Sequence, residues 1–199
     1  MCEELCDEPR DAAAATAKGW QAGRVSPNLS PALAVVAECF ERVRDDLPGV
    51  LEGMDPAEVL HRPGPDANPV GWLVWHLARV QDDHLAGVAA GLDRPVEQVW
   101  EQWRERFGLP YGDDIGYGHS SEDVAAFDVT DPDLLLGYHA AVHELTMEVL
   151  GAMDQDELTA VVDTYDGEPI TAQVRLVSVI GDITAHLGQA AYVRGLLGH

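Results

Sequence analysis

The chain has 199 residues, 46% of them hydrophobic, and sets 12 basic against 35 acidic side chains for a formal net charge of −23. That length suits one domain with a sizeable core. The charge excludes nucleic acid and anionic membranes as partners, because both are bound through Lys and Arg clusters, and no apolar run approaches the roughly 18–20 residues of a membrane span.

Residues 1–27 read as a flexible extension ahead of a domain spanning 28–199. The opening Met1-Cys-Glu-Glu-Leu-Cys-Asp-Glu8 is acidic and lacks the basic flank and apolar core of a signal peptide, so a cytoplasmic protein is expected. Cys2, Cys6 and Cys39 make an odd number, which argues against a disulfide framework. The first long helix is expected from Ser30-Pro31, an N-cap followed by proline, to about Leu47, with Leu33, Val36, Phe40 and Val43 on one face. A proline-rich loop follows, and Asn68-Pro69 opens a second long helix that Gly91 stops.

Residues 93–120 read as mostly irregular, with a short helix near 96–107 and a glycine-rich stretch, 108–120, expected to be a functional loop. Ser120 or Ser121 can cap another short helix. The third long helix starts at Thr130-Asp-Pro-Asp133, with the stripe Leu135, Tyr138, Val142, Leu145 and Val149. Asp166-Gly167 is a turn signal between β-prone runs, and the fourth long helix runs from about Ala172 to Leu197. The fold class is therefore all-α: a four-helix bundle with a loop-rich insertion between its second and third long helices.

Asp182 and His186 carry the chemistry. Residues four apart on a helix have Cβ atoms roughly 5–6 Å apart, so the two side chains can reach one metal ion. His76, on the second helix, offers a third ligand. Two imidazoles and a carboxylate leave part of the coordination sphere open, which suits catalysis. The pair sits at the border of its helix's apolar stripe, a placement that fits a position between helices and equally an exposed polar edge. His84 competes with His76, because it falls mid-stripe and reads as the deeper of the two. His139 and His143 face away from most of their helix's stripe and read as a solvated pair. Trp72, Trp75, Trp100 and Trp103 read as core or seam anchors.

Three segments taken in order carry a resemblance: Gly71-Trp-Leu-Val-Trp-His-Leu-Ala78, the loop from Glu105-Arg-Phe-Gly108 to Gly116-Tyr-Gly-His-Ser120, and residues 177–195 with His186-Leu-Gly-Gln189. Together they resemble the DinB/YfiT-like metalloprotein superfamily, in a branch of unknown function related to mycothiol-dependent maleylpyruvate isomerases. The resemblance implies a DinB-like four-helix bundle that holds a divalent metal, here through His76, Asp182 and His186. Many members have histidine where this chain has Asp182, whereas the isomerases use a carboxylate there, usually glutamate. The implied metal is zinc, with nickel or iron as alternatives. The implied activity is a metal-dependent thiol S-transferase or isomerase, using mycothiol or a similar small thiol and an electrophilic substrate. Arg79 or Arg194 is expected to orient a carboxylate, Gln189 to support the ligands, and Asp83 and His119 to lie nearby. A homodimer is a family-level expectation. Two alternatives stand beside this one: a non-haem iron oxidoreductase, and a non-catalytic, metal-binding, stress-related bundle.

Overall fold

Four long helices dominate the computed structural model, which describes residues 29–199: Pro31–Leu51 (α1), Val70–Gly91 (α3), Pro132–Gly151 (α6) and Ala172–Leu196 (α7). The expected extension of residues 1–27 lies outside the described residues. The helices begin where the sequence predicts. Ser30 Oγ accepts from the Leu33 amide ahead of Pro31, and the Asp131 side chain accepts from the Asp133 amide ahead of α6. Helix α1 runs one turn past its expected end, through Pro48. Three short helices join them: Pro56–Val59 (α2), Trp100–Phe107 (α4) and Ser121–Ala125 (α5). The sequence reading missed α2, which an Asp55–Glu58 capping box defines inside the proline-rich stretch.

Helices α1 and α3 each pack against both α6 and α7, so the bundle is a closed square with α1 and α3 on one diagonal. Helix α3 is buried on nearly every face, and its Trp75, Leu77, Leu85 and Val88 form the middle of the core. Burying so many aromatic and aliphatic side chains at roughly 1.5–3 kcal/mol each supplies the main stabilisation of the bundle.

A 3₁₀ turn, Gln155–Thr159, leads from α6 into an antiparallel hairpin, Val161–Tyr165 (β1) and Glu168–Thr171 (β2), which runs directly into α7. Asp166 and Gly167 both have positive φ, 50° and 84°, the backbone of a type I′ turn between Tyr165 and its partner Glu168. The hairpin lies across the C-terminal end of α3. A Cβ on Gly91 would come within 2.5 Å of the Val162 carbonyl oxygen, so only glycine permits that approach.

Candidate metal centre

Helix α7 projects Asp182 and His186 from successive turns, and α3 supplies His76 opposite them. One ligand atom from each residue lies within 4.8 Å of the other two. His186 Nε2 stands 3.6 Å from Asp182 Oδ2, and the two imidazole rings meet edge to face with centroids 4.6 Å apart. Among the described residues this is the sole group of three or more His, Cys, Asp or Glu side chains so arranged.

The surroundings decide which nitrogens are free. His76 Nδ1 donates to the Ile115 carbonyl at 2.5 Å, since a carbonyl can only accept. His186 Nδ1 donates to Gln189 Oε1 at 2.9 Å. Both imidazoles are thereby held in the tautomer whose lone pair is on Nε2, the arrangement that orients metal-binding histidines. Asp182 Oδ1 is buried and has no hydrogen-bond partner. A buried carboxylate oxygen without a donor is costly unless something electropositive meets it. Two free Nε2 atoms and this orphaned oxygen fit a divalent cation.

The electrostatics favour a neutral His76 and an ionised Asp182, whereas His186 is shifted towards its protonated form, so a metal there would displace that proton. Burial holds the His76 pKa below its ordinary value, against the raising effect of the Ile115 carbonyl, so the ring is neutral and free to ligate. Burial raises Asp182, but the neighbouring His186, His76 and His84 outweigh it and keep the carboxyl below its usual range. Burial lowers His186, but Asp182 and Gln189 more than compensate and the net shift is upward.

The loop between α4 and α5 completes the site. Trp72 stacks on His76 with ring centroids 4.6 Å apart and planes inclined by 17°. Gly116 packs against both rings: a Cβ there would lie 2.9 Å from His76 Nδ1 and 2.9 Å from the Trp72 ring, and φ is 90°. Sequence reasoning marked this loop as functional but missed Ile115 and Gly116 as the residues acting on His76. The positive-φ glycine is the signal that can find them.

The loop is in turn held from the core. Asp82, fully buried, accepts hydrogen bonds from the amides of Val99 and Trp100 at 2.9 and 2.8 Å and from the Tyr138 hydroxyl at 2.8 Å. Burial raises its carboxyl pKa against these donors and Arg79. Arg79 donates to the Asp113 carbonyl, Gln98 and Tyr138, and Trp100 Nε1 donates to the Gly112 carbonyl.

The remaining expected residues divide. Gln189 accepts from His186 Nδ1 at 2.9 Å. Arg79 is 0% exposed and spends its guanidinium on the internal network described above. Arg194 donates to the Glu52 carbonyl at 2.6 Å and closes the end of α1. Asp83 pairs with His84 and accepts from Gln98, and His84 chiefly holds its carboxyl below the ordinary range. His119 accepts from Trp72 Nε1 at 3.4 Å and joins the aromatic cluster of Trp72, Trp75 and Tyr111, outside the triad.

Two expectations are corrected. His84 is not deeper than His76: the His84 side chain is 26% exposed, whereas His76 is 4% exposed, because the loop carrying Ile115 covers His76 and a cavity opens beside His84. His139 and His143 are not a solvated pair but are 2% and 5% exposed, since α6 faces α1 as well as α3.

Comparison with known proteins agrees with this architecture. A family profile for the DinB superfamily matches residues 39–190. A crystal structure of a conserved protein from Enterococcus faecalis is similar at 34% identity and a TM-score of 0.70, covering 80% of this chain and 93% of that one. No curated protein matches significantly.

Proposed function

The chain belongs to the DinB superfamily, and on that footing we propose that it binds a divalent metal through His76, Asp182 and His186 and uses it as a thiol S-transferase or isomerase. The observation that carries the metal reading is the pairing of both Nδ1 atoms with carbonyl oxygens, which leaves two Nε2 lone pairs beside the Asp182 carboxylate, whose Oδ1 has no hydrogen-bond partner. Zinc suits two nitrogens and one oxygen with an open position, and nickel or iron is the next choice on the same donors. Such an ion supplies Lewis acidity, and it favours the thiolate over the thiol when a small thiol such as mycothiol binds through sulfur.

This chain's own residues then do the rest. His76 and His186 present nitrogen from fixed tautomers, Asp182 adds one negative charge, and Trp72 with Gly116 closes the side of the site away from α7. In the transfer, the thiolate sulfur forms a bond to an electrophilic carbon of the substrate. The leaving group departs with its electron pair, and the thiol proton passes to water. In an isomerisation no leaving group departs: the thiolate adds to one carbon of a conjugated double bond, the electron pair moves onto the conjugated acceptor, the former double bond rotates, and expulsion of the thiolate restores the double bond and the thiol.

Elemental analysis of the purified protein, beside His76→Ala and Asp182→Ala, tests the ligand set. One equivalent of metal is expected in the wild type and a small fraction of that in either variant. Thiol-dependent turnover that persists in metal-free His76→Ala sinks the catalytic reading. The same donor set is that of non-haem iron oxygenases, and iron in the purified protein with thiol-independent oxygen consumption would favour that reading instead. Full metal occupancy with no thiol-dependent turnover would favour a non-catalytic bundle.

A further inference from the structure

Beside the triad lies a cavity of about 490 Å³. Helix α3 contributes Val80 and His84, the loop contributes Ile115 and Tyr117, and the hairpin and α7 form the opposite wall. Asp182 is part of its lining, so one wall of the cavity is a ligand of the metal site. Ile115 belongs to both as well: its carbonyl orients His76 and it lines the cavity.

The mouth is apolar and exposed. Tyr117, Tyr165 and Val174 are 82%, 63% and 50% exposed, and all three line this one cavity. Large apolar side chains gathered around a concavity are the usual mark of a ligand site.

The charges narrow the ligand. Among the described residues the one arginine or lysine in the lining is Arg175, and it is ion-paired with Asp163 of β1, also in the lining. Arg79 and Arg194, expected from the sequence to orient a carboxylate, lie outside this lining and are committed to the Asp82 network and to the end of α1. Among the described residues a substrate carboxylate, sulfonate or phosphate therefore meets no unpaired cation in this lining, and it approaches a chain of net charge −23.

We propose that this cavity is the substrate pocket of the triad and that it takes an uncharged organic molecule with an aromatic or alkyl body. The apolar body packs on Val80, Val174 and Val179 between Tyr117 and Tyr165, and the polar, reacting end points to Asp182. The inference rests on the metal reading for its chemistry, though not for its pocket. On the thiol reading the substrate is a neutral electrophile rather than a dicarboxylate.

A matched pair of dyes tests it. N-phenyl-1-naphthylamine is neutral, and 1-anilinonaphthalene-8-sulfonate is the same skeleton with one sulfonate. Fluorescence titration of the full-length, zinc-loaded protein is expected to show one neutral dye per chain, bound at least about tenfold more tightly than the sulfonate, a gap of about 1.4 kcal/mol. Val174→Trp, at an exposed position that leaves the core intact, fills the mouth and weakens the neutral dye by about tenfold, with metal content unchanged. Replacing zinc by cobalt quenches a dye seated against the triad. Equal affinities for the two dyes overturn the charge selection. Undiminished binding to Val174→Trp overturns the location, and a dye unquenched by cobalt overturns the link to the triad. A protein without metal that keeps both dye results fails the metal reading alone and leaves the pocket standing.

Discussion

The Nδ1 atom of His76 lies 2.5 Å from the carbonyl oxygen of Ile115, a contact between the centre of α3 and a loop 39 residues away in sequence. Neither residue alone reports on metal chemistry. Together they fix which nitrogen of His76 faces α7, and Gly116 is what lets the loop come close enough.

Gly116→Ala therefore acts on the site without touching a ligand. The added methyl meets His76 Nδ1 and the Trp72 ring at 2.9 Å, from a backbone with φ of 90°. Metal affinity is expected to fall by roughly 10–100-fold and stability by roughly 1–3 kcal/mol. Competition with a chelating dye measures the first and urea unfolding the second. Unchanged affinity would separate the loop from the site.

Gln189→Leu divides the two effects. Its amide oxygen holds His186 Nδ1–H at 2.9 Å on an exposed face of α7. The variant is expected to lose metal affinity by roughly 10–100-fold while changing stability by no more than about 0.5 kcal/mol. A metal titration followed by thermal unfolding of the apoprotein checks both.

The buried α1–α6 seam predicts acid sensitivity. His139 is buried with Nε2 unpartnered, and burial, with His143 and Arg44 nearby, pushes its pKa down to about 3. Unfolded, the same imidazole titrates near its ordinary 6.5. Between those values the unfolded chain holds a proton that the folded chain does not, so stability falls as pH drops from 6.5 towards 3. The contribution approaches about 1.4 kcal/mol per pH unit and is absent above pH 7. His143 is lowered in the same direction, by burial first, with Glu41 opposing. Urea denaturation at pH 7, 6 and 5 should give a shallower pH slope for His139→Leu than for the wild type. Equal slopes would refute the assignment.

Tyr138→Phe removes the hydroxyl that donates to Asp82 at 2.8 Å in a site with no access to water. Loss of about 1–3 kcal/mol is expected. Because Asp82 also holds the start of α4, hydrogen exchange should rise first at the Val99 and Trp100 amides. A loss confined to α6 would argue against the network.

The bundle and the ligand spacing were legible in the sequence because both are local. Caps and 3.6-residue stripes mark the long helices, and four residues separate Asp182 from His186 on any helix. What the sequence hid is non-local. A wheel drawn for α3 alone puts His84 deeper than His76, since it cannot include the loop that covers one and the cavity that opens beside the other. The solvated placement expected for His139 and His143 fails for the same reason: a second helix covers the face that looks polar on the wheel. Arg79 carries a charge, yet its four partners on other elements bury it completely.

The hairpin described above passes from Thr171 to Ala172 into α7 without an intervening loop. The strand that walls the cavity and the helix that carries Asp182 and His186 are thus one continuous piece of backbone. A molecule that spreads the hairpin pulls on the first turn of α7, three turns before Asp182. If Asp182, His186 and His76 hold a metal, occupancy of the cavity is expected to alter the bite among them, and a change in the colour or magnetism of a cobalt-substituted protein on ligand addition would report it.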